Sequence, residues 1–120
     1  MKISIVLPAL LALTTVVHAE SLEEKKYWKT QQDYVDRSLK SAEKVCEMKF
    51  SFEWLDKGTL RTETEKNHNS PNGVCSHIVD RVAMLCRAGA DEKAAVKAKI
   101  KGFSCGYAEP RNLSLSGGIV

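Results

Sequence analysis

Apolar residues recur at three- and four-residue steps along the first part of the chain beyond residue 19. Tyr27, Trp28, Tyr34, Val35, Leu39, Ala42 and Val45 form one stripe, with Lys, Gln, Asp and Arg between them. This period predicts a long amphipathic helix over residues 20–45. Ser21 with Glu24 makes a capping box, and Glu20, Glu23 and Glu24 suit the positive end of the helix dipole. At Cys46 the period falls to two. Cys46, Met48, Phe50, Phe52 and Trp54 alternate with Glu47, Lys49, Ser51 and Glu53, the pattern of a half-buried strand.

Beyond Asp56-Lys57-Gly58, which marks a turn, Thr59 to Gly73 is polar and reads as loop. A second helix is predicted from Pro71–Val74 to Arg87–Gly89. Cys75, Ile78, Val79, Val82, Leu85 and Cys86 form its buried face, and Gly89 is its left-handed stop. A third helix follows, capped by Asp91, with Ala94, Ala95 and Val96 inside and Gly102 at its exit. Phe103, Cys105 and Tyr107 alternate as a second strand, broken by Pro110, and Leu113 and Leu115 as a third. Gly117-Gly118 reads as a hairpin turn whose returning strand, Ile119-Val120, is cut short, as in a fragment or a frayed tail. The fold class expected is α+β: a long N-terminal helix, a small antiparallel sheet of about three strands, two further helices and two disulfides.

The head of the chain changes the compartment. Met1-Lys2 precedes an apolar run from Ile3 to Val17, and Val17-His18-Ala19 offers compact residues for a signal peptidase. Residues 1–19 are therefore read as a signal peptide cleaved before Glu20. The run is shorter than the roughly 20 residues of a spanning helix and contains Pro8, so no stable membrane anchor is expected after cleavage. Residues 46–120 follow the helix as one small stapled domain. Losing Lys2 takes the formal charge from +3 to +2, too weak a balance to imply nucleic acid. The expected location is secreted or periplasmic.

In an oxidising compartment the four cysteines, Cys46, Cys75, Cys86 and Cys105, read as two disulfides. Four cysteines allow three connectivities. Cys75 and Cys86 on one helix would stand roughly 16 Å apart at about 1.5 Å per residue, beyond the roughly 7 Å that a disulfide spans. A helix running back over the first strand favours Cys46 with Cys86 and Cys75 with Cys105. Cys46 with Cys75 and Cys86 with Cys105 stays open as the alternative. Each bridge would contribute about 3–4 kcal/mol on the loop-entropy model.

The Cys-led strand ending Phe52-Glu53-Trp54 is joined by a cysteine-bearing helix ending Leu85-Cys86, the run Ala94 to Lys101, the strand Cys105 and Leu113-Ser114-Leu115. Together they resemble small exported bacterial proteins of uncharacterised function, over roughly Val45 to Val120. That resemblance implies an exported domain and supplies no activity.

Candidate chemistry is sparse. Cys75-Ser76-His77 with His68 lacks the paired short spacings of zinc sites, and neither Cys-x-x-Cys nor Gly-x-Ser-x-Gly occurs. Glu47 with Glu53, and His77 with Asp80, are pairs that could transfer protons, but surface charge explains them better. Arg87, Lys93, Lys97, Lys99 and Lys101 have no interleaved aromatics and read as a solvated face. The sequon Asn112-Leu113-Ser114 lies on a predicted strand that hinders access. No catalytic residue, metal or cofactor is expected. Tyr27, Trp28 and Tyr34 are the expected contacts for a protein partner or for self-association through the first helix; packing on the chain's own sheet is the competing explanation. The function expected is a non-catalytic exported binding or interaction protein. The alternatives are a secreted inhibitor or toxin-like effector using the 59–73 loop, and a metal-binding module if the thiols are reduced.

Overall fold

The computed structural model describes residues 21–108 and 113–120. The proposed leader 1–19, Pro110 and Asn112 of the sequon lie outside the described residues.

Helix α1, Leu22–Cys46, starts where the capping box places it: Ser21 Oγ accepts from the Glu24 N–H at 3.1 Å. It ends one residue later than expected, at Cys46, with Glu47 as its C-cap in the left-handed region. Cys46 therefore belongs to the helix, because it completes the buried stripe of Val35, Leu39 and Ala42. The extended run proper is β1, Ser51–Trp54.

The polar stretch expected as loop is instead largely helical: α2 covers Lys57–Lys66. Its only large apolar residue, Leu60, is fully buried. The rest is held by Asp56 at the N-cap and by Arg61–Glu65 and Glu63–Lys66 ion pairs one turn apart. One apolar residue creates no period, so the pattern alone could not reveal this helix.

Helix α3, Pro71–Ala88, has Pro71 in its first turn and Ser70 as its cap. Gly89, expected as a left-handed stop, is extended (φ 175) and serves as the N-cap of α4, Ala90–Lys99. Asp91 lies in the first turn of α4 rather than at its cap, and within this helix only Val96 is buried. Strand β2, Gly102–Cys105, closes the order.

The sheet has two strands, β1 and β2, and they are parallel, pairing Ser51 with Gly102 through Trp54 with Cys105. The expected three-stranded antiparallel sheet is thus corrected. Alternation identifies a strand but carries no direction. Here α2, α3 and α4 form the crossover that returns the chain to the end from which it left. Leu113–Leu115 form no strand. After the Gly117-Gly118 turn, both at positive φ, Ile119 makes one isolated parallel bridge to Gly102.

Two contacts orient the helices. The buried Gln31 carboxamide accepts from the Asn72 N–H at 2.9 Å and from Asn72 Nδ2 at 2.7 Å, tying α1 to the start of α3. Cys46 is bonded to Cys86 at the other end of both helices. α1 and α3 therefore lie side by side in the same direction, covering one face of the sheet. Val35, Leu39, Val79 and Val82 of the helices meet Phe50 and Phe103 in the main core. The second disulfide, Cys75–Cys105, joins the start of α3 to the end of β2. These are the pairs favoured by a helix returning over the first strand.

Two stability predictions arise here. Gln31→Ala leaves the Asn72 donors unmatched and is expected to lower the unfolding free energy by about 1–3 kcal/mol, read from urea midpoints. Gly102→Ala is expected to cost about 1–3 kcal/mol by the same measurement. A Cβ there would run into Ser51 Oγ and lie 2.9 Å from the Ser51 carbonyl oxygen, within the ladder itself.

Candidate functional site

The three aromatic residues singled out on α1 part company. Trp28 is 7% exposed, lies edge-on to Trp54 with ring centroids 5.2 Å apart, and shares a small core with Leu60, Cys75 and Cys105. As a surface contact it is corrected: β1 runs back along α1 and brings Trp54 against it. The Trp54 indole N–H in turn donates to Gln32 Oε1 at 2.8 Å. Tyr27 is half-buried under the Arg61 guanidinium, 3.8 Å from its ring centroid. Burial raises the pKa of its phenol above the ordinary value; Arg61 opposes the shift and Glu65 adds to it. Only Tyr34, 48% exposed with Arg37 stacked on it, remains on the surface.

The candidate polar pairs do not assemble into chemistry. Glu47 caps α1 and pairs with Lys93 at 3.1 Å, whereas Glu53 stands on the outer face of β1. His77 and Asp80 are exposed on α3, and no hydrogen bond joins them. Lys97, Lys99 and Lys101 are exposed, and Arg87 donates to Ser41 Oγ at 3.3 Å. His68 sits at positive φ beyond the end of α2. Among the described residues no group of three or more His, Cys, Asp and Glu is placed to hold a metal ion. All four cysteines are in disulfides, which suggests an oxidising, non-cytosolic environment. No described helix is long and apolar enough to cross a membrane.

What the structure does assemble lies on the flank of α3. Leu85, expected in the core, is 47% exposed, and Ile78 is only half-buried. Between this flank and the C-terminal segment runs an open groove of about 420 Å³, lined by Ile78, Val82, Leu85, Ile100, Leu113, Leu115 and Val120. Its polar lining is confined to His77, Arg81 and Ser114. Neither His77 nor Arg81 has an ion-pair partner among the described residues, and no Asp or Glu side chain is in the lining. The volume falls in the range of ligand sites, roughly 300–1,000 Å³. A surface of this composition can take up apolar groups, with the Arg81 guanidinium as the one permanent charge in its lining. A sequence signal for it existed: the apolar arc of α3, from Cys75 round to Leu85, is wider than one neighbouring layer can cover.

No family model, curated protein or solved structure matches the chain.

Proposed function

We propose that this chain is a non-catalytic exported binding or interaction protein, secreted or periplasmic, whose contact surface is the groove beside α3. One observation carries the reading: Leu85, Leu113 and Leu115 are all exposed around a single apolar groove on an otherwise disulfide-stapled domain. Contiguous exposed apolar surface rimmed by polar residues marks interaction sites in soluble proteins. The staples support this reading. A domain of about 100 residues has little stability to spare, and covalent ties let it hold apolar side chains in solvent without collapsing onto them.

Tyr34 and the outer surface of α1 are secondary in this account, since Trp28 is occupied by its own core. The test places a photo-crosslinking side chain at Met84, exposed on the same helix, and exposes the oxidised chain to the exported fraction of its host. A discrete adduct that disappears in Leu85→Asp is expected. No adduct, or the same adduct in the Leu85→Asp variant, contradicts the reading. Leu85→Asp itself is expected to change the urea midpoint little, because the side chain is already largely in water.

A further inference from the structure

The Cys75–Cys105 bridge shares its core with a helix that is fastened to the domain by little more than one side chain. We infer that α2 is a lid, which opens as a unit while the rest of the domain stays folded and so controls access to that bridge. The inference goes beyond the binding reading above and does not depend on the groove.

The two disulfides sit in different cores. Cys46 and Cys86 lie in the main core with Val35, Leu39, Val79 and Val82, to which α2 contributes no residue. Cys75 and Cys105 share the smaller core with Trp28 and Leu60, and Leu60 is its one buried member from α2. Without that side chain, the buried members left are the indole and the bridge itself. Exposure in the closed state does not separate the bridges, at 1% and 5% for Cys75 and Cys105 against 0% and 6% for Cys46 and Cys86.

The attachments of α2 are few. Leu60 and Thr64 are its buried residues, and the Thr64 hydroxyl donates within the helix, to the Leu60 carbonyl at 2.7 Å. Both of its ion pairs, Arg61–Glu65 and Glu63–Lys66, are internal as well. Among the described residues, every hydrogen bond made by residues 57–66 ends within 56–69. Two cations reach across to α1: the Arg61 guanidinium over Tyr27, and the Lys57 ammonium 5.4 Å from the Trp28 ring centroid. Such contacts are weak where the cation stays in water. By contrast, α1 and α3 are joined by the Gln31–Asn72 hydrogen bonds and by a covalent bond.

At 10 residues α2 is shorter than the roughly 12–15 that an isolated helix needs to persist in water. Withdrawal of Leu60 therefore loosens the helix itself. Both joints relax with it, because Asp56 (φ 45) and His68 (φ 54) hold left-handed conformations that are unfavourable for residues with a side chain. Weakly tied units of this kind open at a free energy below that of global unfolding. The domain thus carries one permanent staple and one that is reached through α2. Reduction of the second frees the start of α3 from the end of β2, while Cys46–Cys86 keeps α3 on α1.

The test treats the oxidised chain with a small water-soluble phosphine. The phosphine loses two electrons and takes the oxygen of one water molecule to become its oxide; the S–S bond breaks, and each sulfur ends with one hydrogen. Thiols freed early are alkylated and mapped by mass spectrometry, and amide exchange is followed in parallel without denaturant. Amides of α2 should exchange roughly a hundredfold faster than those at the centres of α1 and α3, and chains reduced at a single bridge should carry free Cys75 and Cys105 about ten times as often as free Cys46 and Cys86. Gly58→Ala places a Cβ where nothing lies within 4 Å. It should slow α2 exchange and Cys75–Cys105 reduction by the same factor, about two- to fivefold. Protection of α2 equal to that of α3 overturns the inference, as does first reduction at Cys46–Cys86. So does a Gly58→Ala chain in which α2 exchanges more slowly but the bridge is reduced at the unmodified rate. None of these results bears on the Leu85-dependent adduct at Met84.

Discussion

Replacing Trp28 with alanine is expected to lower the free energy of unfolding by about 3–5 kcal/mol. The indole is packed against Trp54 and Tyr27 at centroid distances of 5.2 and 5.3 Å, and it fills the core made with Leu60, Cys75 and Cys105. Truncation removes its transfer free energy and leaves a cavity that Leu60 alone cannot fill. The loss also frees the edge-to-face pairing, worth about another 0.5–1.5 kcal/mol in such clusters. Against a total of about 5–15 kcal/mol this is a major fraction. Guanidinium midpoints of the oxidised protein check it. An unchanged midpoint combined with a change in oligomeric state by light scattering would place Trp28 on the surface, against the packing described above.

The second large effect concerns the staples. Cys46–Cys86 and Cys75–Cys105 close sequence separations of 40 and 30 residues. On the chain-entropy model each restricts the unfolded state by about 4 kcal/mol. Replacing both partners of one bridge with alanine is expected to cost about 2–5 kcal/mol, and reducing both bridges is expected to unfold the domain at 37 °C. The two bridges act at opposite ends of α3: one holds its last turn to α1 and the other holds its first turn to the sheet. Hydrogen exchange on the Cys75→Ala/Cys105→Ala variant should show faster exchange at β2 and the start of α3 than at α1. Uniform protection across all elements would contradict that division. The midpoint itself is read by circular dichroism with and without reductant.

Much of the helical layer is legible in the residues. The three- and four-residue period from Trp28 to Ala42, with Ser21 and Glu24 at its head, is enough to place α1. Pro71 and the cysteine-bearing stripe do the same for α3. The elements that escape the pattern do so for stated reasons. α2 has one buried apolar side chain and is otherwise held by its cap and ion pairs, which hydrophobic periodicity does not register. Cys46 satisfies both a period of two and the end of a period near 3.6, and burial beside Ala42 decides for the helix. Strand direction depends on how far the intervening chain travels, and alternation at Phe52 and Phe103 is the same in either orientation.

The site was less visible still. Trp28, Tyr27 and Tyr34 drew attention as large aromatics on a helix with no obvious cover. Trp28 is covered by Trp54 and Leu60 and Tyr27 by Arg61, so strand direction and the aperiodic helix α2 supply the shelter, while Tyr34 stays in solvent. Leu85 was expected to be buried because it belongs to the apolar arc of α3. It lies at the margin of that arc, beyond the reach of α1, and only the packed structure reveals that the C-terminal segment leaves it in the open.

The account stands on a covalently closed two-layer domain, with α1 and α3 bonded at one end and α3 and β2 at the other. Peptide mapping of the native chain by mass spectrometry, without reduction and with free thiols blocked at once, tests this directly. It should find two crosslinked peptide pairs, one containing Cys46 and Cys86 and the other Cys75 and Cys105, with no blocked cysteine. Free thiols, or a Cys46–Cys75 pair with Cys86–Cys105, would contradict it.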